Sequence, residues 1–205
     1  MLNYEDYSRL FDSEWTIHWH EKETWDYMKL FLNPECVFFD IGCQKGIFSQ
    51  GVIDLFDSNC KVFGFDVLEH PDIKQLERKF SNFKFTNTAV GNGKEINCMI
   101  SYDENIFADK QSTITLDNFC TENGINKIDF IKIDVDGGEL SVLEGSQRIL
   151  QEHSPVLMIE MVNSDEDHKR LRLNNDNKEQ CNNILKKYGY KLIEVKNDIN
   201  YFFKK

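Results

Sequence analysis

One segment of the sequence, residues 128–140 (IDFIKIDVDGGEL), constrains the fold more than any other. It begins as an almost continuous apolar run, which is typical of a parallel β-strand buried on both faces. The run ends in carboxylates and paired glycines, and a helical pattern follows. In open α/β sheets, ligands bind beyond the carboxyl ends of the strands. The pattern therefore predicts a site at this strand end, with Asp134, Asp136 and Glu139 at its mouth.

A second half of this site is predicted upstream. A short apolar strand, residues 37–41, runs into a loop with Gly42 and Gly46, where backbone N–H groups at the start of a helix can approach a ligand closely. The next strand ends at Asp66, 20 residues beyond Gly46. Nucleotide-binding α/β folds place the acid that binds ribose hydroxyls at about this spacing. The glycine pair alone is a weak signal, and the spacing to Asp66 strengthens it.

The rest of the chain alternates between strand and helix patterns, which indicates an α/β fold built from βαβ units. Besides the central segment, the predicted strands are residues 37–41, 61–65, 83–88, 94–101 and 156–161, with 190–195 and 199–203 as a closing β-hairpin. Residues 102–111 are polar, which predicts a loop, and residues 112–117 lead into a short helix that ends near Gly124. One helix is predicted directly after the central strand.

Length and composition fit one domain. A chain of 205 residues with 40% hydrophobic content can bury one substantial core and is short for two. We expect residues 34–205 to form the α/β core and residues 1–33 to form a helical N-terminal extension. No segment approaches the roughly 20 apolar residues that span a bilayer, and residues 1–10 lack an apolar signal core, so we expect a cytoplasmic protein without a membrane partner.

Charge and cysteine content disfavour other classes of function. The 24 basic residues against 35 acidic ones give a net charge of −11, the opposite of what proteins that neutralise phosphates usually carry. The six cysteines include no CxxC pair or tight cluster, so neither a zinc site nor a disulfide framework is predicted. His18 and His20 flank Trp19, and we interpret them as surface or interface residues rather than metal ligands.

Several short motifs between residues 36 and 161 follow one another in a distinctive order. They are residues 39–42, 46–49, 65–66, 89–91, 112–117 and 129–139, the last continuing through 143–145. Their order and spacing resemble those of the FkbM family of S-adenosylmethionine-dependent methyltransferases, and residues 129–139 are the most specific part. The resemblance implies the Rossmann-like class I methyltransferase fold: a mostly parallel seven-stranded sheet in the order 3-2-1-4-5-7-6, with helices on both faces and a C-terminal antiparallel hairpin.

The resemblance also implies a binding site for S-adenosylmethionine. Its implied cofactor-binding residues are Asp40, Gly42, Cys43, Gly46, Asp66, Val67, Thr88 and Ala89. In this interpretation the glycine loop holds the methionine part, Asp66 accepts hydrogen bonds from the ribose hydroxyls, and Val67 and the segment 88–89 flank the adenine. Asp40 would anchor the loop or the amino group of the cofactor, although it could instead cap the next helix, and the glycines could serve only the turn. The loop carries Cys43 and Gln44 where the family usually has Ala-Asn.

The carboxylates after the central strand are the predicted catalytic residues. Methyl transfer is an in-line displacement, for which good positioning can supply roughly 7–11 kcal/mol, against about 10²- to 10⁴-fold from a general base. For a hydroxyl acceptor, Asp134, Asp136 and Glu139 are the candidates to take or orient the proton. The three carboxylates could instead bind Mg²⁺ or Ca²⁺, and Glu139 could only favour the N-terminus of its helix. Glu160, at the next strand end, is a second-rank candidate.

By resemblance, the expected reaction is O-methylation of a sugar, a glycan or a small-molecule natural product. A nicotinamide-dependent oxidoreductase is disfavoured because Gln44 and Ile47 occupy the other glycine positions of the GxGxxG fingerprint. The alternative that is not an enzyme is a binding module, which keeps the fold but has lost catalysis. The net charge of −11 already disfavours methylation of DNA or RNA. No Asp/Asn-Pro-Pro-aromatic segment occurs in the sequence, which disfavours it further. The polar segment 163–178, with His168, is predicted to be a loop that contacts the acceptor.

Overall fold

The computed structural model describes residues 19–56, 59–102, 105–161 and 178–205. The strands are β1 (Val37–Ile41), β2 (Lys61–Asp66), β3 (Phe83–Asn87), β4 (Ala89–Val90), β5 (Glu95–Tyr102), β6 (Asn105–Ile114), β7 (Phe130–Ile133), β8 (Val156–Glu160), β9 (Lys191–Lys196) and β10 (Asn200–Lys204). The helices are α1 (Trp19–Met28), α2 (Ile47–Phe56), α3 (Pro71–Lys79), α4 (Leu116–Glu122), α5 (Glu139–Glu144), α6 (Gln147–Glu152) and α7 (Lys178–Lys187).

Seven strands form one sheet in the order β3-β2-β1-β7-β8-β10-β9. The pairs from β3 to β8 are parallel, and β10 runs antiparallel to both β8 and β9. Since β7, β8, β9 and β10 are the fourth to seventh strands of this sheet, the structure confirms the predicted order 3-2-1-4-5-7-6 and the closing hairpin.

Two apolar cores cover the two faces of the sheet, which confirms helices on both sides. Neighbouring strand residues alternate between them: Phe38 belongs to the core under α1, α2 and α3, and Phe39 belongs to the core under α4, α5, α6 and α7. Phe130 and Ile131 of β7 divide in the same way. Because both faces are covered, the central strands must be apolar at nearly every position, which explains their continuous apolar runs.

A smaller three-stranded sheet, in the order β4-β6-β5, differs from the prediction. The extra strand predicted over residues 94–101 is present as β5. The loop predicted over residues 102–111 is wrong, because β6 occupies Asn105–Ile114 and its residues Asn105–Ser112 pair antiparallel with β5. β6 also pairs in parallel with β4 at Ala89↔Thr113 and Val90↔Ile114, so the β5–β6 hairpin extends from the end of β3.

The helix predicted after the central strand is two short helices, α5 and α6. They are separated around Gly145, where a Cβ atom would lie 1.9 Å from the backbone oxygen of Gly91. The contact with the segment after β4 therefore requires glycine at the break. The N-terminal extension contains α1 and a 3₁₀ turn, Lys29–Phe31.

Some features predicted from the sequence are not tested by the structure. The division of the chain into an extension, residues 1–33, and a core, residues 34–205, stays a prediction. His18 and His168, with residues 163–177 of the predicted acceptor loop, lie outside the described residues. In the part of the chain that the structure describes, none of the helices has the length and apolar character needed to cross a bilayer.

Candidate active site

A cavity of about 320 Å³ lies at the carboxyl ends of the parallel strands. This volume falls within the range of roughly 300–1,000 Å³ that is usual for small-molecule sites. The cavity lies where the strand pattern predicts a ligand crevice. Seven of the residues predicted for the site line it: Gly42, Asp66, Val67, Thr88, Ala89, Asp134 and Asp136. Glu160 lines it as well, whereas Asp40, Cys43, Gly46 and Glu139 do not.

Asp66 connects the end of β2 to the loop after β1. One carboxylate oxygen accepts a hydrogen bond from the backbone N–H of Gln44 at 2.8 Å, and the other accepts one from Leu68 at 2.9 Å. Burial raises the pKa of Asp66, although these two N–H donors act against the shift. Each oxygen has two lone pairs, so the carboxylate can accept further hydrogen bonds from a ligand with two hydroxyl groups.

The loop after β1 requires glycine for its own packing. Gly42 has φ +77°, and a Cβ atom there would lie 1.7 Å from the backbone oxygen of Asp134. Gly46 has φ +80°, and a Cβ atom there would lie 2.5 Å from the side chain of Ile73. The chain itself therefore makes the close approaches at both glycines, and only Gly42 also borders the cavity. These contacts fit the alternative role of Gly42 and Gly46, in which both glycines serve only the turn.

Cys43 packs beneath the loop rather than into the cavity. Its side chain is buried in the core under α2 and α3, close to Gly64 of β2, where an added Cβ atom would lie 3.1 Å from the Cys43 sulfur. Burial raises the pKa of this thiol well above its ordinary value. Cys43 therefore contributes its backbone position to the loop, and its side chain belongs to the core.

Asp40 does not border the cavity, and its side chain is only 1% exposed. One carboxylate oxygen accepts hydrogen bonds from the backbone N–H of Ser49 at 3.2 Å and from its hydroxyl group at 2.7 Å. Burial raises the pKa of Asp40, although Lys132 and Ser49 act against the shift. Ser49 lies in the first turn of α2, so Asp40 has the capping role that the sequence leaves open as an alternative.

Lys132 is a buried cation that the sequence analysis did not single out. Its side chain is 3% exposed, although it lies in the middle of β7. The ammonium group donates to Asp134 at 2.9 Å and to the carbonyl oxygen of Gly42 at 3.4 Å, and it lies 3.6 Å from Asp40. Burial opposes the charged form, but Asp134 and Asp40 outweigh it and raise the pKa of Lys132. A lysine inside an apolar strand was the available signal, because buried lysines are rare unless paired.

Glu139 lies behind the cavity at the first residue of α5, with a side chain that is 5% exposed. Its carboxylate accepts a hydrogen bond from the backbone N–H of Gly137 at 3.0 Å. Burial raises the pKa of Glu139 to about 7, and the charges of Asp134 and Asp136 act in the same direction. This position fits a role at the helix N-terminus better than contact with an acceptor.

The charge of the cavity lining is negative. Four carboxylates border it: Asp66, Asp134, Asp136 and Glu160. Lys132 is the cation paired with this group, through Asp134. Among the residues that the structure describes, no group of three or more His, Cys, Asp or Glu side chains is arranged to hold a metal ion. The three carboxylates after β7 therefore do not form such a cluster, and a cationic or neutral ligand suits the lining best.

Comparison with protein families identifies the chain. The model of the methyltransferase FkbM domain matches residues 67–192, which is more than half of the chain. The chain belongs to the FkbM methyltransferase family. The family match begins directly after β2 and covers the β5–β6 hairpin, β7 with its carboxylates, and β8. It includes most of the cavity lining of this FkbM-family protein, although Gly42, Gln44 and Asp66 precede it. No curated protein matches the chain.

Solved structures of methyltransferases share the fold of this FkbM-family chain. Methyltransferase FkbM from Methylobacillus flagellatus KT aligns with a TM-score of 0.55 and 18% identity over 84% of this chain and 44% of that one. The S-adenosylmethionine-dependent methyltransferase from Aquifex aeolicus aligns with a TM-score of 0.53 and 15% identity over 99% and 97% of the two chains. The chain thus spans less than half of the M. flagellatus protein.

A third structure with this fold contains a product of the cofactor. It is the 1,6-didemethyltoxoflavin-N1-methyltransferase of Burkholderia thailandensis, solved with 1,6-didemethyltoxoflavin and S-adenosylhomocysteine bound. Its TM-score is 0.52 at 12% identity, over 98% of this chain and 82% of that one. At such identities the likeness shows the fold alone.

Proposed function

We propose that this FkbM-family chain is an S-adenosylmethionine-dependent methyltransferase that methylates a hydroxyl group of a sugar, a glycan or a small-molecule natural product. The observation that carries the proposal is that Asp66 of β2 borders the same cavity as Asp134 and Asp136 after β7. In this proposal Asp66 would bind a ribose, and Asp134 and Asp136 would face the acceptor. The S-adenosylhomocysteine bound to the B. thailandensis enzyme supports the choice of cofactor.

The residues of the cavity fit this cofactor. Asp66 offers carboxylate oxygens to the ribose hydroxyls, and Val67 and Ala89 border the same cavity as apolar surfaces for the adenine. Gly42 and Gln44 border it beside β1, where the loop would hold the methionine part. The negative lining suits a cationic sulfonium. When bound, the cofactor supplies a methyl group that is already activated by the sulfonium charge.

Asp136 is the carboxylate that we assign to the proton of the acceptor. Glu139 is buried away from the cavity, and one oxygen of Asp134 accepts a hydrogen bond from Lys132. Asp136 borders the cavity with φ 50°, a region that non-glycine residues rarely adopt. Such conformations cost about 1–3 kcal/mol and are concentrated at functional sites. Asp136 would accept the hydroxyl proton as the oxygen is methylated, while Asp134, fixed by Lys132, orients the acceptor.

The Asp66→Asn variant should bind S-adenosylhomocysteine about 10- to 100-fold more weakly than the wild type, because hydrogen bonds to a charged group contribute roughly 1.5–3 kcal/mol. Isothermal titration calorimetry measures this difference directly. The matched control is Asp72→Asn, which removes the same charge from an exposed position on α3. Equal affinity of Asp66→Asn and the wild type would contradict the ribose assignment, and a wild type that binds no cofactor product would contradict the proposed function.

The Asp136→Asn variant should lower turnover by about 10²- to 10⁴-fold, the usual contribution of a general base, with little change in S-adenosylhomocysteine affinity. Transfer of a radiolabelled methyl group to a panel of sugars, oligosaccharides and polyketide alcohols measures the rate.

The control for this variant is Asp198→Asn, because Asp198 also has a positive φ, 61°, but lies in the β9–β10 turn. Unchanged turnover in Asp136→Asn would rule out its role as the base. A wild type that binds the cofactor product and methylates no acceptor of the panel would favour the non-catalytic binding module instead.

A further inference from the structure

Strand β5 of the β5–β6 hairpin forms one wall of the cavity. Ile96, Cys98 and Ile100 alternate along β5, so their side chains lie on the same side of the strand, and all three border the cavity. On the other side, Glu95 and Lys110 form an exposed ion pair at 3.1 Å. β5 therefore lines the cavity mainly with apolar side chains, together with Asn97, and carries the charge of Glu95 toward solvent.

The hairpin lies at the Asp66 end of the cavity. Cys98 and Asp66 border the same cavity. Burial raises the pKa of the Cys98 thiol to about 11, and the negative charges of Asp109 and Asp66 add to the shift. The strand pairings also place the hairpin at this end of the cavity. β6 pairs with β4, β4 directly follows β3, and β3 pairs with β2, which ends at Asp66. The carboxylates of Asp134 and Asp136 follow β7, on the other side of β1.

We propose that the cavity side of β5 in this hairpin, formed by Ile96, Cys98 and Ile100, binds the adenine ring of the cofactor. This inference rests on the proposed function, because it assigns one end of the same site. A planar, mostly apolar ring is stabilised when both of its faces are removed from water. Val67 and Leu68 supply one apolar surface at the end of β2, and the hairpin supplies a second one.

The assignment divides the cavity between the two substrates. The β2, β3 and hairpin side binds the adenosyl group, and the acceptor approaches beside Asp134, Asp136 and Glu160. Changes on the cavity side of β5 should therefore alter the affinity for the cofactor rather than the choice of acceptor.

Cys98 provides a native probe of this end of the site. It is only partly buried, whereas the other five cysteines of the chain are buried. Iodoacetamide at pH 8.5 should therefore modify Cys98 first in the folded protein, since exposure and thiolate formation control the rate. Peptide mapping by mass spectrometry follows each cysteine separately.

Adenosine or S-adenosylhomocysteine, at concentrations that saturate binding in calorimetry, should slow the modification of Cys98 at least tenfold, and methionine alone should not. The variant Cys98→Phe should place an aromatic ring in this end of the cavity. The affinity of this variant for S-adenosylhomocysteine should therefore fall at least tenfold. The matched control is Lys110→Phe, at an exposed position of the same hairpin, which should bind like the wild type.

The outcomes separate this inference from the proposed function. A wild type that binds no S-adenosylhomocysteine overturns both. A wild type that binds it while Cys98 reacts as fast as in the free protein overturns only the hairpin assignment, as does protection by methionine alone. The labelling experiment needs no variant, so a Cys98→Phe protein that fails to fold does not prevent the test.

Discussion

Replacing Lys132 by methionine should lower the free energy of unfolding by about 3–5 kcal/mol, the usual cost of removing one partner of a buried ion pair. Methionine keeps an unbranched apolar side chain but leaves Asp40 and Asp134 without their cation. Asp40 is the more costly of the two, because it is almost completely buried and one of its oxygens has no hydrogen-bond partner. Urea denaturation at pH 7 measures the change.

The matched control is Lys127→Met. Lys127 pairs with Asp129 at 2.7 Å, but its side chain is 65% exposed. The change should therefore cost at most about 1 kcal/mol. The double variant Lys132→Met/Asp40→Asn should recover part of the loss, since it removes a buried charge that has lost its partner. A loss of less than about 1 kcal/mol in Lys132→Met alone would show that this cation does not stabilise the site.

The pairing of Lys132 with Asp40 follows from the strand order rather than from the local sequence. Asp40 and Lys132 are direct partners in the pairing of β1 with β7, so their side chains lie on the same face of the sheet. The predicted order 3-2-1-4-5-7-6 already makes these strands neighbours. The two residues are far apart in sequence, and only the register of the two strands brings them together.

The predicted site residues that border the cavity lie mostly at or just after strand ends. Asp66 ends β2 and Asp134 directly follows β7, and the carboxyl ends of these parallel strands lie at one edge of the sheet. Cys43 and Glu139 belong instead to a loop and a helix start, where the direction of a side chain depends on local φ and ψ angles. Gln44, next to Cys43, has φ 47°, a conformation that the sequence does not announce.

The β6 strand could not be predicted for a different reason. Its residues are largely polar, and their strand conformation depends on the pairing of Glu95 to Tyr102 with Asn105 to Ser112. A hairpin with one solvated face carries a weak apolar pattern. The wall that β5 and β6 build over the cavity therefore follows from tertiary contacts rather than from local propensity.

Replacing Glu139 by glutamine should raise the free energy of unfolding at pH 8 by roughly 3 kcal/mol and leave it almost unchanged at pH 4. Burial raises the pKa of Glu139 from 4.5 to about 7. Between pH 4.5 and about pH 7, the Glu139 carboxyl group keeps its proton in the folded protein but has lost it in the unfolded chain. The free energy of unfolding of the wild type therefore falls as the pH rises through this range. Glutamine stays neutral and can still accept the hydrogen bond from Gly137.

Chemical denaturation of both proteins from pH 4 to pH 8 tests this result, with Glu179→Gln as the matched control. Glu179 also lies in the first turn of a helix, α7, but it is exposed, so its replacement should cost about 0.3–1 kcal/mol. Parallel stability curves for Glu139→Gln and the wild type would refute the raised pKa. If Glu139→Gln is more stable at pH 8 and still transfers methyl groups while Asp136→Asn does not, the two carboxylates have separate roles: Glu139 acts on the helix and Asp136 acts on the acceptor.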